Sequence, residues 1–314
     1  MAKGNYSSVT EFILLGLTNN PELQAILFGI FLLIYLVTVM GNLGLILLIQ
    51  ISPQLHTPMY FFLSHLAFVD FYGTSAITPN TLVNSFREIK SMPFYACATQ
   101  VCCFITFSVW ELLMLSVMAY DRYVAICRPL LYVVLMPRKL CIQMVAGSYA
   151  YGITIGLIQA VATFHMSFCD SNVVNQFYCD DVPLIALACS NTHVKELMLF
   201  VIAGFNVFCS LIIVLISYVF IIFTILRIPS TEGRQKAFST CASHVISITM
   251  YYGTLSFMYL QPKSSHSLDK EKFASIFYAV VMPMLNPFIY SLRNQEVKNV
   301  MKTVIEKMCT SNQQ

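Results

Sequence analysis

Two carboxylates, Asp70 and Glu111, stand inside stretches otherwise free of charge, and they are the first residues whose chemistry has to be explained. A carboxylate in the middle of a bilayer costs at least about 2.5 kcal/mol on insertion scales, so it faces protein or a water-filled cavity and marks a functional place. A second pair, Asp121-Arg122, stands where a long neutral stretch ends, and reads either as an interfacial salt bridge or as a switch. A third group is Cys179 with Asp180 and Asp181. That trio has metal-ligand chemistry, but a disulfide is the better reading wherever the compartment is oxidising. No metal cluster, phosphate loop or nucleophile with its base stands out, so the residues point to binding and switching, with no enzyme activity.

Those residues are positioned by long apolar elements. Charged residues make up 11% of 314, against roughly 25% in soluble domains. So few charges cannot coat a soluble fold, which excludes a cytosolic enzyme, a disordered chain and a nucleic-acid binder. A helix needs about 20 apolar residues to cross a bilayer of about 30 Å. The neutral stretch Leu23–Val69 is too long for one crossing and is cut by the proline-bounded turn Gln50–Pro58. The spans are Leu23–Ile49, Met59–Phe86, Tyr95–Tyr120, Leu140–Phe164, Leu197–Leu226, Ala237–Leu260 and Phe273–Leu292. The expected fold is all-α, a seven-transmembrane helix bundle. A transporter of six or eight spans is the competing architecture, but transporters show paired halves, and no internal repeat is found.

Lys and Arg accumulate on the cytoplasmic side. With the amino terminus outside, the inner segments hold eleven basic residues and the outer ones seven. The expected organisation is an extracellular segment at 1–22, a membrane domain at 23–292, and a cytoplasmic helix and tail at 293–314. Residues 1–22 contain no signal peptide, and Asn5-Tyr6-Ser7 is a glycosylation sequon. Past Leu292, Val297, Val300, Met301, Val304, Ile305 and Met308 form an apolar stripe, with Lys298, Lys302 and Lys307 off it. That pattern is an amphipathic helix lying on anionic membrane lipid. Cys309 at its end is a candidate for palmitoylation.

Of eleven cysteines, Cys97, Cys169, Cys179 and Cys189 fall at the outer face, where four thiols allow three pairings. The long segment Asp170–Glu196 reads as a crosslinked lid.

Four motifs stand on these elements in order: Leu55-His-Thr-Pro-Met-Tyr-Phe-Phe-Leu63, Met118-Ala-Tyr-Asp121-Arg122-Tyr123-Val-Ala-Ile-Cys127, Lys236-Ala-Phe-Ser-Thr-Cys-Ala-Ser-His244 and Pro283-Met-Leu-Asn286-Pro287-Phe-Ile-Tyr290-Ser-Leu-Arg-Asn294. Together they resemble the olfactory receptors, rhodopsin-like G-protein-coupled receptors, over nearly the whole chain, and most of all the tetrapod-type branch. The resemblance implies disulfides Cys97–Cys179 and Cys169–Cys189. It implies an odorant cavity among Phe104, Ile105, Ser108, Ile202, Asn206, Tyr252, Ser256, Tyr259 and Tyr278, with Tyr252 as trigger. Such a lining suits a small, neutral, largely apolar molecule, and broad tuning near micromolar affinity, about −8 kcal/mol. Phe104 stands where amine receptors carry an aspartate. Relatives that detect thiols through a metal carry a histidine near Asn175-Gln-Phe-Tyr-Cys179-Asp180, and none is found there.

The resemblance also implies a switch, with Arg122 held by Asp121 at rest and released to a heterotrimeric stimulatory olfactory-type G protein. Tyr123, Tyr218, Lys236, Asn286, Pro287 and Tyr290 complete the coupling set. Asp70 and Glu111 are expected beside Asn42 and Asn286 around a central cavity. Two close carboxylates cannot both stay ionised without compensation, so either sodium lies between them, as allosteric ligand, or one is protonated. No other cofactor is expected. The implied protein resides in the plasma membrane of olfactory cilia and raises cyclic AMP. A receptor for a metabolite outside the nose and a transporter or channel are the alternatives.

Overall fold

Lipid offers no partner to backbone N–H and C=O groups, so each apolar stretch must bond within itself as a helix. The computed structural model describes residues 9–18, 20–169, 171–259 and 268–311, without the side chains of 257–259, 268–271, 292, 293, 295, 305 and 307–311. Asn5 and the Cys309 side chain lie outside the described residues. Seven crossings form the bundle: α1 (Pro21–Ile51), α2 (Pro58–Asn84), α3 (Phe94–Cys127), α5 (Arg138–Phe164), α7 (His193–Leu226), α8 (Thr231–Tyr259), and a last unit of α9 (Leu268–Ile276), a π turn (Phe277–Val281) and α10 (Met282–Arg293). Between them lie β1 (Glu11–Leu14), β2 (Ser91–Pro93), α4 (Tyr132–Leu135), β3 (Val173–Val174) and α6 (Asp181–Leu187), and α11 (Gln295–Ser311) follows the last crossing.

Five of these crossings are long and apolar enough on composition alone to span a membrane. The other two, α2 and α8, are 27 and 29 residues long and are diluted by polar side chains that turn inward. Asp70, Thr74, Thr78 and Thr81 are buried along one face of α2, and Ser243, His244, Ser247 and Tyr251 along one face of α8. The polarity therefore belongs to the interior of the bundle and leaves the lipid-facing surface apolar.

Most helices run further than their neutral stretches. Asn20 caps α1 by accepting from the Glu22 and Leu23 N–H groups, with Pro21 preset for the first turn. Helix α3 continues through Asp121 and Arg122 to Cys127, so the switch pair sits on a helix. Helix α7 begins at His193 and takes the charged Lys195 into its first turn, where it is neutralised as described below.

Proline shapes the last crossing. Pro287 has no N–H to give to the carbonyl four residues earlier, that of Pro283, and the Asn42 amide on α1 donates to that carbonyl at 3.0 Å. Pro283 likewise frees the Ala279 carbonyl, which accepts from Thr74 at 3.5 Å. The π turn lies just before this doubly relieved stretch. Helices α3 and α5 pack tightly at Gly152 and Gly156. A Cβ on the first would collide with the Trp110 ring, and one on the second with the Thr106 hydroxyl and the Cys102 carbonyl.

At one end, here the lid end, β1 lies between β2 and β3. It pairs antiparallel with β2 (Phe12 opposite Met92) and parallel with β3 (Ile13 opposite Val173). Disulfides join Cys97 to Cys179 and Cys169 to Cys189, with Cα–Cα separations of 5.5 and 5.9 Å. The segment read as a long lid thus contains a strand, a helix and two crosslinks. At the opposite end, the Arg122 end, α11 lies along the bundle with Val297 and Val300 buried and Lys298 and Lys302 exposed.

Candidate functional site

Helix α3 carries Phe104 and Ser108 one turn apart toward the lid end. Phe104 meets the ring of Tyr178 from the lid at 5.2 Å and that of Tyr278 from the π turn at 6.0 Å. Tyr251, buried on α8, donates to the Ser108 carbonyl at 3.0 Å, and its oxygen is 3.2 Å from that of Tyr278. The next residue, Tyr252, points elsewhere because successive helical residues are turned by about 100°. Its hydroxyl bonds Ser210 on α7, which bonds Ser116 on α3. Two adjacent tyrosines on α8 thus tie it to α3, to the last crossing and to α7.

Of the expected cavity residues, Phe104, Ser108 and Tyr278 border one small cavity of about 30 Å³. Asn206 is buried on α7, donating to the Ile202 carbonyl of its own helix at 2.8 Å. Ile105 packs instead into the apolar cluster around Phe12 and the Cys97–Cys179 bridge. Ser256 is exposed, and the Tyr259 side chain lies outside the described residues. The sequence reading missed Tyr251 and Tyr178. Tyr251 was within reach, since His244, Ser247 and Tyr251 recur at helical spacing.

The same small cavity is bordered by Asp70 and Glu111. Both acids are buried, and Asp70 Oδ1 and Glu111 Oε1 have no hydrogen-bond partner among the described residues. Two orphaned carboxylate oxygens facing room for one small occupant are donors that a hard cation accepts. Among the described residues no group of three or more His, Cys, Asp and Glu side chains comes together. Asn286 turns its amide N–H to Asp70 Oδ2 at 2.9 Å and its oxygen to Ser247 at 3.3 Å, so it orients the acid. Asn42 spends its amide on the Thr38 and Pro283 carbonyls. Neither asparagine borders the cavity.

Toward the Arg122 end, His244 is fully buried. Its Nε2 lies 3.1 Å from the Leu115 carbonyl and its Nδ1 2.8 Å from the Tyr218 hydroxyl. A carbonyl only accepts, so Nε2 carries the proton and Nδ1 accepts from tyrosine. One neutral ring therefore ties α8 to α3 and α7. Asp121 and Arg122 are both buried, but they form no ion pair among the described residues. The hydrogen bond on Asp121 Oδ1 comes from Tyr132 of α4, at 2.8 Å. Burial, then the adjacent Asp121 carboxylate, push the Tyr132 hydroxyl far up, so it stays protonated and donates. Arg122 Nε is buried without a hydrogen-bond partner among the described residues, and the buried Tyr290 hydroxyl lies beside Ser247. Tyr123 lies against Phe220 at 5.7 Å, Pro287 sits inside α10, and Lys236 is exposed on α8.

Two further clusters escaped the sequence reading. Lys195 on α7 is buried and donates to Asp181 Oδ2 at 2.8 Å, Gln159 Oε1 at 2.6 Å and the Gln159 carbonyl at 3.1 Å. Asp181 Oδ1 accepts from Thr163. All three ammonium protons and both carboxylate oxygens are used, which is what a buried pair requires. This staple locks α6 of the lid to α5 and α7, and it takes Asp181 out of any metal set, as the disulfide takes Cys179. At the other end Tyr60, fully buried on α2, donates to Glu296 at 2.7 Å and accepts from Asn294 at 2.9 Å, which fixes the start of α11.

A seven-helix bundle with a disulfide-tied lid, a buried acid pair at mid-depth and a buried Arg122 is matched by known proteins. The family model described as "Olfactory receptor" matches residues 31–308. Human olfactory receptor 5AL1 is 72% identical over 309 residues, covering 98% of this chain and 94% of that one. Mouse olfactory receptor 8U3 is 59% identical over 307 residues (98% and 96%), and human olfactory receptor 8U8 58% over 305 (97% and 96%). With fold, buried polar groups and near full-length identity in agreement, the chain belongs to the olfactory receptor family of multi-pass membrane receptors, which is not an enzyme family.

Proposed function

We propose that this receptor binds a small, neutral, largely apolar odorant beneath the lid and activates a stimulatory olfactory-type G protein at the Arg122 end, raising cyclic AMP. The observation that carries the reading is the buried polar face of α8. Tyr251 bonds Ser108 and Tyr278 of the pocket wall, Ser247 bonds Asn286, which in turn bonds Asp70, and His244 bonds Tyr218 and Leu115 of α3. One helix thus touches ligand pocket, mid-membrane acids and inner switch. The pocket of about 30 Å³ is far below the 300–1,000 Å³ of small-molecule sites. Odorant binding therefore favours an arrangement in which the Phe104, Tyr178, Tyr251 and Tyr278 rings part. A shift of Tyr251 moves α8, loosens His244 from Tyr218 and Leu115, and opens a cleft at Arg122, Tyr123, Lys236 and Tyr290.

Asp70 and Glu111 would hold a sodium ion, oriented by Asn286, and the ion would supply the positive charge that lets both acids stay ionised. The lid end, with residues 1–22, faces outward, and residues 293–314 lie on the cytosolic leaflet. The test is a panel of volatile compounds read by cyclic AMP in a heterologous cell, with surface labelling in parallel. Arg122→Ala is expected to abolish the response at unchanged surface level. A retained response, or ligand-driven current without G protein, overturns the reading.

A further inference from the structure

A second cavity of about 30 Å³ lies at the lid end, between the turn after β1, the start of α1 and the end of α2. Leu17, Leu27 and Phe177 give it apolar walls. Lys90, Asn84 and Gln24 bring an ammonium and two amides to it, and no Asp or Glu borders it. Asn84 is only 6% exposed, and neither its amide nor that of Gln24 makes a side-chain hydrogen bond among the described residues. The Lys90 ammonium makes no ion pair among the described residues. It reaches the carbonyls of Leu15 and Thr18 at 3.4 and 3.5 Å. Charge-assisted bonds are about 2.7–2.9 Å long, so this cation is under-bonded. The turn is shaped to admit it. Gly16 has a φ of 72°, and a Cβ there would stand 3.0 Å from Lys90 Nζ. Lys272 donates to the Gly16 carbonyl at 3.0 Å, so two ammonium groups meet on one turn. Burial, then the Lys272 charge, hold the Lys90 pKa below the usual lysine value, as expected of a positive charge short of compensation.

We propose that this cavity binds one monatomic anion, chloride, on the Lys90 ammonium and the N–H groups of Asn84 and Gln24. Charge and size select this occupant. A water fits the volume but brings no charge to offset two lysines. A phosphate or an organic acid brings the charge but exceeds the room. The ion would join the turn after β1 to α1 and α2. It would also brace Phe177, whose ring stacks on Tyr178, the lid residue against Phe104 of the odorant pocket. The orientation proposed above puts the cavity on the outer face, where chloride is the abundant small anion.

The test uses the purified full-length receptor in detergent micelles, with sodium held at about 0.15 M and gluconate replaced stepwise by chloride. Constant sodium leaves the Asp70–Glu111 pair undisturbed. No odorant, G protein or membrane orientation enters the readout, so the result stands whether or not the proposed function holds. The expected result is an unfolding midpoint that rises by about 2 °C and levels off, as binding to the folded state requires. Bromide should act like chloride. Lys90→Met is expected to remove the rise. Arg87→Gln, which loses the same charge at an exposed position off the cavity lining, is expected to keep it. Gln24→Glu puts a carboxylate beside Lys90, and is expected to raise the midpoint in gluconate and to abolish the chloride effect. That variant decides the matter even if Lys90→Met fails to fold. Equal midpoints in chloride and gluconate, a rise that never levels off, or a chloride effect kept in Lys90→Met or Gln24→Glu would overturn the proposal.

Discussion

Lys195 shows how one residue changes meaning between sequence and structure. By position it is an exposed basic residue next to Glu196, one more charge at the outer face. In the fold it is buried with every proton bound, inside the first turn of α7. Breaking a buried pair by removing one partner costs about 3–5 kcal/mol, because the other charge is left uncompensated. Lys195→Met is therefore expected to lower the unfolding midpoint sharply and to cut surface labelling, and Asp181→Leu to do the same. The double variant should recover most of the loss. The partners, Gln159 and Asp181, stand 36 and 14 residues away in the chain, so no local pattern announced them. Asp70 and Glu111, by contrast, were legible at once, because an isolated acid in an apolar span has few places to go.

Among the elements, the crossings were read well from charge-free stretches, since lipid punishes any unpaired backbone. Their ends were read less well. Helices α1, α3, α7 and α8 run past their apolar stretches, α1 from the Asn20 cap and Pro21 and α7 through the buried Lys195, and a rule based on charge stops too early. The strands were missed, because two to four residues without alternation give no signal. The seventh crossing depends on another element for its carbonyls. Asn42→Leu strands the Pro283 carbonyl, and a buried acceptor without a partner costs about 1–3 kcal/mol. A lower midpoint in thermal unfolding is the expected result. Helices α3 and α5 leave no room for a side chain at Gly152 and Gly156. Gly156→Val overpacks that contact, and a cost of about 1–3 kcal/mol, or failure to reach the cell surface, is expected.

On the scale of the whole molecule, α8 is tied at three depths, and under the proposed function its inner tie is the one that resists activation. His244→Phe removes both bonds of the ring and is expected to raise cyclic AMP without odorant, normalised to surface receptor. Unchanged basal signalling would show that His244 only packs. Exchanging sodium for a larger monovalent cation in the medium is expected to shift the odorant response of the wild type. Asp70→Asn and Glu111→Gln should flatten that shift, and equal sodium sensitivity in both variants would place the ion elsewhere.

Strand β1 is the middle of its sheet, and β2 and β3 do not touch without it. The strand at Glu11–Leu14 is thus a structural member of the roof over the proposed odorant pocket. A protease cut after Leu14, or a shortened recombinant form that starts at α1, would leave the two flanking strands with bare edges. Odorant potency should then fall while the seven crossings remain in place.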